Sequence, residues 1–100
     1  MISLSQKTAS ELGIQIAQRL ARIRKRRKIS QKDLSEKAGV SFGSLKRFER
    51  TGQVSLESLC KLAIALGTED ELDHLFEDVL PQSIEEVLSE KGRDRLRQNG

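Results

Sequence analysis

Residues Gln31–Arg50 read QKDLSEKAGVSFGSLKRFER. Leu34, Ser35, Ala38, Leu45 and Phe48 fall where two short helices would need them to cross closely, and Gly39 and Val40 lie between the two patterns. An A-G-V triplet in that position reads as one helix ending and another beginning, because glycine enters the left-handed backbone region without a Cβ penalty. Ser30 and Ser41 each precede a pattern as N-cap residues, and Asp33 stands three residues after Ser30. The stretch predicts helices over 31–38 and 42–50 joined by a tight turn.

Working outward, Leu12, Ile16, Leu20 and Ile23 recur at helical spacing, with Thr8 and Glu11 as a capping box, so a first helix is expected over 9–27. Ser55 caps a fourth helix over 56–66, whose Leu56, Leu59, Leu62, Ala63 and Leu66 read as a core stripe ending at Gly67. Thr68 with Glu71 makes a further capping box for a fifth helix over 69–80, which stops at Pro81. Ser83 with Glu86 suggests a last helical turn through Leu88. The expected organisation is all-α: a flexible N-terminus over 1–8, a compact five-helix domain over 9–80, and a short, partly disordered tail over 81–100 that is acidic and then basic.

A chain of 100 residues supports one small core. A single cysteine, Cys60, excludes an internal disulfide and makes no metal site alone, which fits a reducing compartment. No signal-peptide pattern and no membrane-length apolar run is present, so a cytoplasmic protein with no membrane association is expected. Charge is strongly segregated. Residues 1–68 carry 14 basic and 5 acidic side chains, a net +9; residues 69–90 carry 9 acidic and none basic, a net −9; residues 91–100 return to +3. A polyanionic partner is expected for the first part and a different role for the second.

Two helices crossed over a tight turn form a helix-turn-helix, whose second member commonly enters the DNA major groove. From about Ile16 to Leu75 the chain resembles the Xre/Cro-type helix-turn-helix family. The likeness is carried by ISQKDLSEKAGVS at 29–41, ER at 49–50 and SLESLCKLAIALG at 55–67. It implies a lambda-repressor-like fold and double-stranded DNA as partner. It also implies that Gln31 bonds a phosphate while meeting the recognition helix, and that Arg24 pairs with Glu49 as a structural bridge.

The exposed face of the third helix, Phe42, Gly43, Ser44, Lys46 and Arg47, is the expected base-reading surface. Arg47 leads, because a guanidinium donates two parallel hydrogen bonds to guanine O6 and N7. Lys46 reads guanine or touches phosphate. Phe42 either meets a thymine methyl or packs on the domain surface, and Gly43 lets the backbone approach closely; long polar side chains are commoner in the family at both positions. Seven basic residues and no acid lie between Arg19 and Lys28. Lys25, Arg26 and Lys28 among them, with Arg50, are expected at phosphates, and so are Gln31 and the capping serines Ser30, Ser41 and Ser55.

Leu72, Leu75, Phe76, Val79 and Leu80 give the fifth helix more apolar surface than one small core absorbs, so they are assigned to a dimer or partner interface. A two-fold dimer binds two half-sites, hence a palindromic operator. The ending FEDVLPQSIEEVL resembles the tails of HipB-type antitoxins, which accompany HipA-like kinase toxins. Two roles follow: an autoregulating antitoxin with a toxin partner, or a stand-alone phage-like or chromosomal repressor. A third reading gives the acidic segment only a solubilising role. His74 reads as a surface or interface residue and Cys60 as a packing residue. No nucleophile with a base, no catalytic carboxylate pair and no phosphate-binding glycine loop is present, so neither an enzyme nor a cofactor or metal is expected.

Overall fold

The structure is a computed structural model and describes residues 7–77. The described residues form α1 (Ala9–Arg26), α2 (Gln31–Ala38), α3 (Phe42–Thr51), α4 (Leu56–Ala65) and α5 (Asp70–Asp73), with no strand among them. Four of the five starts are closed alike, by a hydroxyl that accepts a backbone N–H three residues on. Thr8 accepts from Glu11 at 3.1 Å, Ser30 from Asp33 at 3.0 Å, Ser41 from Ser44 at 3.1 Å and Ser55 from Ser58 at 3.0 Å. Each cap contributes about 1 kcal/mol. Lys7 Nζ also donates to Gln15 at 2.7 Å, an exposed contact between the residue before the Thr8 cap and α1.

The turn between α2 and α3 has the expected form. Gly39 sits at φ +71°, and the Val40 N–H reaches the Ser35 carbonyl at 3.0 Å, the closing bond of a Schellman motif. Leu34, Leu45, Phe48, Leu62, Leu66 and Ala17 fill the centre, with Leu20 and Val40 at its edge.

Helix α1 presents a different face from the one its large apolar residues suggest. Ala17, Leu20, Ala21 and Arg24 are buried, while Leu12 and Ile16 are exposed. The cause is close packing of α1 on α3. Gly13 lies against Gly52, and Arg24 meets Glu49. Gly13, Ala17, Ala21 and Arg24 thus form one ridge at i, i+4, i+8 and i+11, mostly of small residues that let α3 come near. Leu12 and Ile16 are displaced to the flank.

Two further expectations need correction. Leu56 opens α4 with 68% of its surface exposed and Ile64 is exposed as well, so the core stripe of α4 narrows to Leu62, Ala63 and Leu66, with Leu59 partly covered. The fifth helix is one turn long instead of running through the 69–80 stretch. The Thr68 hydroxyl donates to the Ala63 carbonyl at 3.2 Å, turned toward the end of α4, and α5 (Asp70–Asp73), whose N-cap residue is Glu69, has no side-chain cap. Asp70, Glu71 and Asp73 crowd that turn with like charges, and Phe76 then takes φ +64°, which no helix tolerates. Leu72 is half-buried and Leu75 and Phe76 are exposed. Val79, Leu80, the Ser83–Leu88 turn and the 81–100 tail lie outside the described residues. No helix among the described residues is long and apolar enough to cross a membrane.

Candidate nucleic-acid interface

A nearly buried ion pair holds α3 in place. Arg24 Nε donates to Glu49 Oε2 at 2.8 Å and Nη2 to Oε1 at 2.9 Å, a two-pronged pair, while Nη1 donates to the Ile29 carbonyl at 2.8 Å. Gln31 Nε2 adds a bond to Glu49 Oε1 at 3.0 Å. The Glu49 carboxylate at the end of α3 therefore gathers α1 and the first residue of α2, and Arg24 ties in the turn between them. Breaking such a pair by removing one partner leaves a buried charge alone, at a cost of about 3–5 kcal/mol.

With Leu45 and Phe48 turned inward, α3 presents Phe42, Gly43, Ser44, Lys46 and Arg47 outward, all exposed. Phe42 is 44% exposed and does not fold down onto the domain. Its ring instead carries Lys46 Nζ, 5.0 Å from the centroid, a contact one helical turn apart. A Cβ on Gly43 would meet nothing within 4 Å, so the space over that backbone is open. Ser41 Oγ donates to Ser44 Oγ at 2.7 Å, and Arg47 Nη2 donates to Gln53 Oε1 at 2.5 Å.

Against this geometry, the sequence model of the helix-turn-helix family matches residues 20–72, more than half of the chain. The chain belongs to the helix-turn-helix family, of the Xre/Cro type. It is a DNA-binding transcription regulator, built on a domain whose class is regulatory and not typically enzymatic. No curated protein gives a significant match.

In this helix-turn-helix domain three of the residues expected at phosphates, Lys25, Arg26 and Ser55, line two depressions. Lys25 and Arg26 line a shallow depression with Gln18, Arg22 and Glu49, which sets the end of α1 beside the end of α3. Ser55 and Ser58, at the start of α4, share a second depression with Ser44 and Arg47. Lys25, Arg26, Lys28 and Arg50 are exposed and make no ion pair among the described residues. Arg27, although in the same basic run, donates its Nη1 to the Leu66 carbonyl and closes the end of α4. Gln31 is half-buried with one amide hydrogen given to Glu49, which leaves its second N–H for another acceptor.

Sequence reasoning missed two residues beside Arg47: Gln53, which accepts from its side chain, and Thr51, which donates to its backbone carbonyl. The only trace in the sequence is their place around Gly52, since a left-handed cap folds the next residue back beside the helix. The His74 ring contacts Glu77 at 2.7 Å on the surface, and Cys60 is a half-buried free thiol. No group of three or more potential metal ligands occurs among the described residues.

Proposed function

We propose that the chain is a sequence-specific transcriptional repressor that binds a palindromic operator as a homodimer in the cytoplasm. In this reading Arg47 leads base recognition with Phe42, Gly43, Ser44 and Lys46. Lys25, Arg26, Lys28, Ser30, Gln31, Ser41, Arg50 and Ser55 neutralise or bind phosphates. The observation that carries it is the α3 surface. That helix is fixed on its inner side by a buried ion pair, yet its outer residues are all exposed and include two cations. The exposed apolar side chains at the far end, Leu75 and an 81% exposed Phe76, support a second copy there.

The deciding measurement is binding to the DNA upstream of the chain's own reading frame, across a salt series. A preferred fragment with a steep loss of affinity in salt is expected. Equal affinity for every upstream fragment and for random duplex at physiological salt refutes the reading.

The −9 charge of residues 69–90 supports a second element, an antitoxin role in which that segment holds a toxin such as a HipA-like kinase. An adjacent reading frame for a kinase-like toxin, neutralised by the full chain and not by one lacking residues 69–100, is expected. Its absence leaves a stand-alone repressor.

A further inference from the structure

Arg47 is held by a closed ring of contacts at the end of α3. Its Nη2 donates to Gln53 Oε1 at 2.5 Å, the Gln53 backbone N–H donates to Thr51 Oγ1 at 3.2 Å, and the Thr51 hydroxyl donates to the Arg47 carbonyl at 2.7 Å. The ring closes because Gly52 caps α3 at φ +79° and folds the next residue back alongside the helix. We propose that Gln53 is a positioning residue that presets the Arg47 side chain for reading a base, so that operator specificity depends on the loop after α3 as well as on α3. This rests on the reading of Arg47 as the base-reading arginine.

The chemistry of the pair suits that task. A guanidinium has five N–H donors arranged as two edges, each with two parallel donors. Nη2 contributes one hydrogen to each edge, so whichever hydrogen Gln53 accepts, one edge stays whole for the two acceptors of a guanine. A neutral amide oxygen fixes the side chain without cancelling its charge, which a carboxylate would do. An arginine already ordered before binding loses less rotamer freedom when it docks. Gln53 is itself exposed, so the fold gains little from it. Ser44, Ser55 and Ser58 line the same depression as Arg47 and Gln53.

The test is a double-mutant cycle of Gln53→Ala and Arg47→Ala, read as the ratio of affinities for the preferred upstream fragment and random duplex, together with the salt slope. Gln53→Ala is expected to lower the ratio about 5-fold, the effect of freeing one long side chain, while random-duplex affinity and salt slope stay unchanged. In the Arg47→Ala background it is expected to change nothing. Gln53→Met, similar in length but without the acceptor, behaves as Gln53→Ala.

An equal loss in both backgrounds shows Gln53 touching DNA itself, and no loss in either shows an idle surface contact; each overturns the positioning role while leaving Arg47 as reader. A ratio unchanged by Arg47→Ala refutes the base-reading arginine and this proposal with it.

Discussion

Gly39 and Gly52 end successive helices at nearly the same backbone angle, φ +71° and φ +79°, yet alanine should be tolerated at one and not at the other. A Cβ on Gly39 would meet nothing within 4 Å, whereas on Gly52 it would lie 2.4 Å from the Gly13 carbonyl carbon and 2.5 Å from the Ile14 nitrogen. The left-handed conformation costs an alanine about 1–2 kcal/mol. Restricting the unfolded chain returns about 0.4–1 kcal/mol, so Gly39→Ala loses roughly 1 kcal/mol net. Gly52→Ala carries the same loss and adds a clash that no side-chain rotation relieves, because the atoms it meets are α1 backbone. Forcing α1 away from α3 costs at least the usual overpacking penalty of about 1–3 kcal/mol. The two variants therefore differ by that amount, and Gly52→Ala melts lower by roughly 4–8 °C per kcal/mol for a domain of this size. Urea denaturation of the two variants beside the parent chain measures the difference directly. Equal destabilisation refutes the packing of α3 on α1 through Gly13 and Gly52.

Glu49→Ala leaves Arg24 buried without its carboxylate and is expected to lower stability by about 3–5 kcal/mol in the same denaturation assay. Lys28 ends α1 at φ +58°, a conformation that favours glycine, so Lys28→Gly is expected to raise stability by up to about 1 kcal/mol. If Lys28 neutralises a phosphate, the same variant lowers the salt slope of DNA binding by about one unit; an unchanged slope removes Lys28 from the phosphate set. Gly43→Ala places a methyl in open space inside α3 and is expected to stabilise the fold by about 0.5–1 kcal/mol. Weaker operator binding by that more stable protein is the expected sign of close backbone approach at Gly43, and unchanged binding excludes it.

The parts of the fold legible in the sequence are those governed by local chemistry. Serine or threonine before a helical pattern, and glycine after one, act through hydrogen bonds three to five residues apart, so Thr8, Ser30, Ser41, Ser55 and Gly39 all announce themselves. Leu34, Leu45, Phe48 and Leu62 are apolar wherever they are placed and fall in the core without ambiguity. What the spacing does not reveal is which of two adjacent faces wins. Leu12 and Ile16 lie on a more apolar face of α1 than Gly13, Ala17 and Ala21 do, yet the smaller face is covered because helix approach is limited by side-chain size as well as driven by apolar area. Thr68 illustrates a related ambiguity. Its hydroxyl reads as the cap of a fifth helix, but in the structure it donates to the Ala63 carbonyl and the N-cap position of α5 falls to Glu69, which makes no side-chain cap.

The same contrast separates two sets of residues around α3. Arg24, Gln31 and Glu49 are held by one another in a nearly buried cluster, so changing any of them alters the seat of α3 and every sequence the protein binds. Phe42, Gly43, Ser44, Lys46 and Arg47 contribute almost nothing to that seat. Their contacts stay within α3 and its flanking turns: Lys46 over the Phe42 ring, Ser41 to Ser44, and Arg47 to Gln53. Such contacts, exposed and close in sequence, are each worth no more than about 1 kcal/mol to the fold. On the proposed assignment, the domain fixes where α3 lies through Arg24, Gln31 and Glu49, and leaves the proposed reading residues free to change with little loss of stability. A substitution at Phe42, Ser44, Lys46 or Arg47 is expected to alter operator preference with the denaturation midpoint little moved, and one at Arg24 or Glu49 to lower both; a midpoint lowered as far by Arg47→Ala as by Glu49→Ala refutes the division.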